Sequence, residues 1–241
     1  NVKRFSNADI RKHCDTYYGA QNMVLCIAGP TTHTKNFLWA RHAFQKLRLG
    51  IKTTSSPPNP SQQPSLLFRK GDGGLQSTLR LAFLALGEMD PDFAALMLLN
   101  RLMDDGFSTR LYQRIVHELG LAYYVSAGLD SFADTGVFEI EATAVHKNTP
   151  KILVEIIKIC EEFSTKLVTE KELAVAKQRY SWDLMGTVDD LGSLSEWWGR
   201  AELFYTPNSA EKKLAQMLDK LHYYGLGYSW GDRKSTRLNS S

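Results

Sequence analysis

Cysteine is scarce in this sequence, and the few that occur are widely spaced. The 241 residues contain three cysteines, at positions 14, 26 and 160. An odd count with this spacing predicts neither a disulfide framework nor a zinc knuckle. Cys26 lies in the apolar run MVLCIAG and is expected to be a small core residue. A reducing compartment fits this usage, and an oxidising one stays open.

Long hydrophobic runs and blocks of one charge are missing as well. No apolar run approaches the ~18 residues of a bilayer-spanning helix. The net charge is +3, with 29 basic and 26 acidic side chains mixed along the chain. We therefore expect neither a membrane nor a nucleic acid as partner. The composition, 43% hydrophobic and 23% charged, is typical of a soluble globular protein of one or two domains.

Metal-binding and nucleophile motifs are also absent. His117-Glu118 suggests a zinc helix, but the helical zinc motif needs a second histidine four residues after the first, and position 121 is leucine. The inverted order H-x-x-E-H does not occur, nor does a local Ser-His-Asp or Cys-His arrangement. GDGG at 71–74 lacks the Lys-Ser/Thr end of a phosphate loop and predicts a hairpin turn. His117 and Glu118 are accordingly interpreted as surface residues, and no metal site is predicted.

Proline is concentrated in one segment, which divides the chain. Residues 52–64, KTTSSPPNPSQQP, hold four of the eight prolines and predict an extended linker. The region before the linker is expected to contain a helix capped by Ser6 or Asn7, a buried strand at 22–29, and an amphipathic helix over 37–50 that ends at Gly50.

After the linker, strands and helices come in pairs. The predicted elements are strands at 65–70, 77–86, 122–131 and 136–145, and helices at 91–105 (capped by Asp90), 109–119 (capped by Ser108), from Thr149, from the capping box TEKE at 169–172, and at about 209–222. This order predicts the α+β class, with a mostly antiparallel sheet covered by helices on one side. The strand GVFEIEATAV alternates apolar and polar residues, so one face should be buried and the other wet.

Two stretches carry a family resemblance. STRLYQRIVHELGLAYYVSAG, residues 108–128, resembles the C-terminal homologous half of the M16 metallopeptidases, the family of insulinase, pitrilysin and mitochondrial processing peptidase. DTYYGAQNMVLCIAGP, residues 15–30, resembles the end of the catalytic half, where Tyr-x-x-x-Asn-Met leads into a strand. The resemblance implies that residues 1–51 are the remnant of the metal-bearing, homologous half. It also implies that 52–64 join the halves and that 65–231 form the C-terminal-like domain.

The resemblance also implies a function. The family holds zinc through an inverted H-x-x-E-H motif and a distant glutamate, both in the first half, which would precede Asn1. The parent protein is then expected to be a zinc metalloendopeptidase, and this half to close a peptide chamber without a cofactor and to be inactive alone. Expected partners are a peptide substrate and the metal-bearing half or subunit. The alternative is a non-catalytic M16-like subunit that serves as a structural or binding partner.

One tyrosine is the candidate site residue. Active members contribute an arginine and a tyrosine seven residues apart, which hydrogen-bond the substrate carbonyl or its oxyanion. Tyr123 matches that tyrosine through Gly-Leu-x-Tyr, but the arginine position is Val116. Arg110 and Arg114 are the nearby substrate-binding candidates, although on an α-helix Arg114 points about 200° away from position 116. Tyr123 working alone, a substitute arginine, and a purely scaffolding half all stay open.

The orientation of Tyr123 follows from the predicted strand. Tyr123 and Tyr124 should point to opposite faces of the sheet, with one against the helices. We expect Tyr123 to face the chamber, with its hydroxyl outside the core. An RNA-binding module is disfavoured, because Glu139 and Glu141 occupy the wet face of the neighbouring strand.

The two ends of the sequence predict a fragment. The chain begins with Asn1 and shows no signal peptide, and its last ten residues, DRKSTRLNSS at 232–241, resemble the translation of a sequencing-library adapter. We expect that tail to make no packed contacts. The expected compartment is the cytoplasm or the periplasm of a bacterium.

Overall fold

Helices and one small sheet make up the described part of the chain, which the computed structural model gives as residues 2–54, 56, 65–71 and 74–204. The α-helices are α1 Asn7–Tyr17, α2 His33–Ala43, α3 Phe93–Met103, α4 Thr149–Thr165, α5 Glu170–Asp189 and α6 Leu191–Phe204; the strands are β1 Gln76–Ala85, β2 Tyr124–Ser131 and β3 Gly136–Val145. A π-helix, Tyr112–Glu118, precedes β2. The predicted helix at 209–222 and the adapter-like tail lie outside the described residues.

The sheet is antiparallel, with β3 in its centre. β1 and β2 pair with the two edges of β3, so the spatial order is β1-β3-β2. Along β3, buried residues alternate with partly exposed ones. Leu79 and Val125 both lie opposite Ala142, so one face of all three strands contributes to a common apolar layer. The predicted α+β class and the single buried face are confirmed.

The core lies between this face and the helices. Its buried members are Met103, Leu111, Ile115, Leu121, Ala122, Val125, Phe138, Ile140, Ala142, Ala144, Ile152, Ile156 and Ile159. They come from α3, the stretch around the π-helix, the sheet and α4. Full burial of one such large side chain contributes about 1.5–3 kcal/mol to stability. The apolar residues therefore fix the position of the π-helix and of the turn that follows it.

Several helix starts lie where the sequence predicted them. Thr169 and Glu172 form the predicted capping box of α5, and Ser6 caps α1 in a second box with Asp9. α4 begins at Thr149 as predicted. α3 begins later than expected, because Asp90 does not act as its N-cap and instead accepts a hydrogen bond from the N–H of Asp92.

Two predicted strands are wrong. Residues 22–29 form no strand, and Met23, Val24, Leu25 and Ile27 are between 39% and 50% exposed. Residues 65–70 form none either, and Leu66 is 92% exposed. A strand needs a neighbour for its backbone N–H and C=O groups, and among the described residues neither segment has one. The apolar residues of these two segments therefore led to a prediction of strands that do not form.

The amphipathic helix before the linker is also displaced. α2 begins after its cap Thr32 and ends at Ala43, several residues before the predicted stop at Gly50. Gly50 has φ +72° and approaches Gly19 so closely that an added Cβ on Gly50 would lie 2.7 Å from the Gly19 Cα. Gly50 thus serves a close backbone crossing, where only glycine fits, rather than a helix end.

Candidate functional site

The helical stretch that leads to Tyr123 is wider than an α-helix. An α-helix over 109–119 capped by Ser108 was expected, but Tyr112–Glu118 form a π-helix and the Thr109 hydroxyl bonds back to the Gly106 carbonyl. The N–H of Leu119 donates to the carbonyl of Arg114, five residues earlier, at 3.3 Å. Such π-turns are rare and occur often at functional sites.

A tightly held turn follows the π-helix. Gly120 has φ +56°, the left-handed helix stop that the sequence predicted. The N–H of Leu121 donates to the Ile115 carbonyl at 2.9 Å, and the Leu121 carbonyl accepts the side-chain amide of Asn148 at 2.8 Å. Leu121 and Ala122 are buried in the core. The backbone on the N-terminal side of Tyr123 is therefore fixed by hydrogen bonds and by packing.

Tyr123 lies between this turn and the sheet. Its side chain is 93% exposed, and β2 begins only at the next residue, Tyr124, which pairs with Thr143. The expectation that one of the two tyrosines packs against the helices is wrong: Tyr123 precedes the pleated strand, and Tyr124, 52% exposed, lies on the sheet face away from the core. The predicted exposure of the Tyr123 hydroxyl outside the core is confirmed.

Val116 occupies the position where the resemblance places an arginine. It is partly buried and packs against the core cluster. An isopropyl group can donate no hydrogen bond, so a second donor is missing at this position. Its contacts explain why an apolar residue is tolerated here: Val116 extends the buried side of the π-helix.

Arg110 is engaged in contacts with α4 and α5. Its Nε and Nη2 donate to the two carboxylate oxygens of Glu172 at 2.9 and 3.1 Å, and its guanidinium lies 4.6 Å from the centre of the Phe163 ring. The hydrogen bond from Arg110, followed by that from the Thr169 N–H, lowers the pKa of Glu172 to about 2. Arg110 therefore joins the stretch before the π-helix to the first turn of α5.

Arg114 makes a similar connection to α4. Its Nε donates to Glu155 at 2.8 Å and its Nη1 donates to Glu118 at 2.9 Å. Glu155 is a buried carboxylate that also accepts from Lys158 at 2.9 Å. The hydrogen bonds from Lys158 and Arg114 hold the pKa of Glu155 below its ordinary value. Both candidate arginines are thus paired with carboxylates that fix the helix before Tyr123.

The outward face of the sheet carries a charged cluster that was not predicted. Arg80 on β1 lies beside Glu139 at 3.4 Å and hydrogen-bonds Glu141, both on β3. The hydrogen bond to Glu141 raises the pKa of Arg80 above its ordinary value. Strand alternation predicted that the glutamates face water, but the partner could be found only from the β1-β3 register.

Metal ligands do not converge among the residues that the structure describes. These residues contain no group of three or more His, Cys, Asp and Glu side chains placed to hold an ion. His117 is exposed, and the Nδ1 of His146 lies 2.6 Å from the Ser77 Oγ while its Nε2 lies 2.7 Å from the Gly74 carbonyl oxygen. The described side chains therefore do not fit a zinc ion. None of the helices in the described ranges combines the length and the apolarity needed to cross a membrane.

Comparisons with known proteins agree on one family. The family model described as peptidase M16 inactive domain matches residues 4–180. An uncharacterized zinc protease of Mycobacterium leprae is 27% identical over 209 residues, which cover 85% of this chain and 46% of that protein. An uncharacterized zinc protease of Rickettsia felis is 27% identical over 201 residues, which cover 81% of this chain and 47% of that protein. The chain spans about half the length of these relatives.

Solved structures share the fold. The peptidase M16 inactive domain from Pseudomonas fluorescens aligns with a TM-score of 0.76 and 21% identity over 94% of this chain and 53% of its own. A protease from Helicobacter pylori aligns with a TM-score of 0.76 and 18% identity, over 94% of this chain and 55% of its own. A chain of complex III2 from Candida albicans aligns with a TM-score of 0.65 and 17% identity, over 93% of this chain and 56% of its own. At these identities the likeness is one of fold alone.

Proposed function

Because the chain belongs to the M16 peptidase family and matches its inactive domain, we propose that it is the half without metal of a zinc metalloendopeptidase. In this proposal it closes the peptide chamber and presents Tyr123 to the substrate. The observation that carries the proposal is the 93% exposure of Tyr123 directly after a turn whose own residues are buried and hydrogen-bonded. An aromatic side chain that adds almost nothing to packing is available for a ligand.

The chemistry assigned to Tyr123 is hydrogen-bond donation. A phenol hydroxyl donates to a carbonyl oxygen, or to the oxyanion that replaces it, without ionising. With valine at position 116, Tyr123 is the single donor of the pair. Arg110 and Arg114, the other substrate-binding candidates, support this assignment only indirectly, because both guanidinium groups are paired with carboxylates of the fold.

The metal-bearing half is the proposed partner. The relatives are about twice as long as the matched region, and we assign the zinc to a further half of the parent protein, upstream of this chain. Residues 2–54 support this, because α1 and α2 bury no side chain among the described residues. Their exposed apolar residues include Phe5, Ile10, Leu25, Phe37, Leu38 and Trp39. A surface this apolar is expected to contact another unit.

The direct test of the proposal uses the full-length parent with its zinc half. Tyr123→Phe is expected to lower kcat on a peptide more than it raises KM, because the lost bond strengthens in the transition state. Losing an oxyanion donor costs roughly 10²–10³ in kcat, and without the arginine we expect a loss at or below the lower end. Tyr124→Phe is the matched control and should leave kcat unchanged. Equal kcat values for wild type and Tyr123→Phe would contradict the proposal.

The isolated chain gives a second test. Purified alone, it is expected to bind no stoichiometric zinc and to cleave no peptide, since the described residues hold no fitting ligand group. Metal analysis and a peptide-cleavage assay measure both properties. One tightly bound zinc per chain would overturn the division of roles between the halves.

A non-catalytic M16-like subunit is the second candidate. The observation in its favour is Val116, which removes the arginine of the donor pair. In that case the chain closes a chamber or binds a partner without contributing to chemistry. The upstream open reading frame separates the two candidates: an H-x-x-E-H motif there supports the peptidase half, and its absence supports the subunit.

A further inference from the structure

We propose that Asn148 is a positioning residue for Tyr123, an inference that rests on the function proposed above. The two residues belong to different elements: Asn148 precedes α4, and Tyr123 precedes β2. The side-chain amide of Asn148 donates to the carbonyl oxygen of Leu121 at 2.8 Å, in a partly buried setting. That carbonyl lies two residues before Tyr123.

The local role expected of Asn148 is not the one it plays. Asparagine at the N-cap of a helix usually caps it by accepting from a backbone N–H of the first turn. Asn148 occupies the N-cap of α4, but its backbone has φ −86° and ψ −20°, and its side chain makes no capping hydrogen bond. Pro150 lies in the first turn of α4 and has no backbone N–H, so the start of this helix has one fewer N–H that needs a capping partner. The side-chain amide of Asn148 therefore hydrogen-bonds the turn before Tyr123 and does not cap α4.

Packing among the described residues contributes little to the placement of the Tyr123 side chain. With 93% of the side chain exposed, its position is set by the backbone. Gly120 and the bond from the Leu121 N–H to Ile115 fix the start of the turn, and the pairing of Tyr124 with Thr143 fixes its end. The peptide after Leu121 lies between these anchors, and the Asn148 amide holds its oxygen.

The variant Asn148→Asp separates positioning from stability. It keeps the size of the side chain, but it replaces the donor with a carboxylate that repels the Leu121 carbonyl. Aspartate is also a good N-cap and acts favourably at a helix N-terminus, so α4 should retain its stability. In the full-length parent we expect kcat to fall roughly tenfold with KM little changed, because small misplacements of a catalytic group are costly. The melting temperature should stay near that of wild type.

A double-mutant cycle with Tyr123→Phe decides whether Asn148 acts through Tyr123. If it does, Asn148→Asp lowers kcat in the wild-type background and has almost no effect in the Tyr123→Phe background. Equal effects in both backgrounds would overturn the inference while leaving the function of Tyr123 intact. A Tyr123→Phe variant with wild-type kcat would instead overturn the proposed function itself, and the inference with it.

Hydrogen exchange provides a readout independent of activity. Asn148→Asp should increase amide exchange at residues 122–124 and leave β3 protected, because the lost bond anchors only the turn. Unchanged exchange at 122–124 would overturn the positioning role whatever the kinetics show. Asn148→Ala, which removes the donor without adding charge, should show the same pattern.

Discussion

Residues 3–54 and residues 74–204 have similar helical content but differ in what their helices bury. In the first region α1 and α2 bury no residue, and Trp39, Leu25 and Ile10 are at least half exposed. In the second, Leu111, Ile115 and Ile140 are fully buried between helices and sheet. Local signals such as the Ser6 cap mark where a helix begins, whereas burial requires a partner surface. The second region holds its own partners, and we propose that those of the first belong to an upstream half.

The largest difference between the regions should appear in core truncations. Leu111→Ala removes a fully buried side chain and should lower the free energy of unfolding by about 2–5 kcal/mol. Leu25→Ala, the same change at a residue 50% exposed, should change it by no more than about 0.5 kcal/mol. Chemical denaturation of the 241-residue chain measures both. A large cost at Leu25 would show that residues 3–54 are packed into the same cooperative unit.

A smaller difference should appear in the two capping boxes. Thr169→Ala removes the α5 cap in the packed region and should cost about 0.5–2 kcal/mol of global stability. Ser6→Ala removes the corresponding cap of α1, and because that helix buries nothing, the global transition should not move. Amide exchange should then rise within α1 only. A shared shift of the unfolding midpoint would contradict the comparison.

The smallest effect concerns the ion pair that ties Arg110 to α5. The folded pKa of Glu172 is lowered to about 2 from an ordinary 4.5, so its stabilising effect is complete above pH 4.5 and disappears as the pH falls towards 2. Because the carboxylate is 35% exposed, solvent screening limits the effect to about 1 kcal/mol or less. Glu172→Gln keeps a residue type that suits a capping box. Because glutamine does not titrate, the free energy of unfolding of the variant should change less with pH across this window. Identical acid unfolding curves for wild type and Glu172→Gln would contradict a stabilising contribution from the Arg110–Glu172 ion pair.

The sequence predicted elements whose signals are local. The strand over 136–145 and the capping box at Thr169 follow from alternation and from residue types three positions apart. Gly120 was identified as a left-handed stop because only glycine takes that conformation without strain. These features depend on neighbouring residues alone, so no knowledge of the fold was needed.

Features that depend on distant partners were missed. Residues 22–29 have the composition of a strand but no described neighbour to pair with. Arg110 meets Glu172, 62 residues away, and Asn148 meets Leu121, 27 residues away, and no sequence pattern links either pair. The sequence also did not show that Tyr112–Glu118 form a π-helix, or that β2 begins only at Tyr124, which leaves Tyr123 outside the strand.

The central claim is that Tyr123 stabilises the transition state, and the affinity of a transition-state analogue tests it most directly. A phosphinic peptide mimics the tetrahedral oxyanion, so its inhibition constant should follow transition-state binding. In the full-length parent, Tyr123→Phe should weaken this inhibitor by the same factor by which it lowers kcat/KM, while Tyr124→Phe leaves both unchanged. An inhibition constant identical for wild type and Tyr123→Phe would contradict the account.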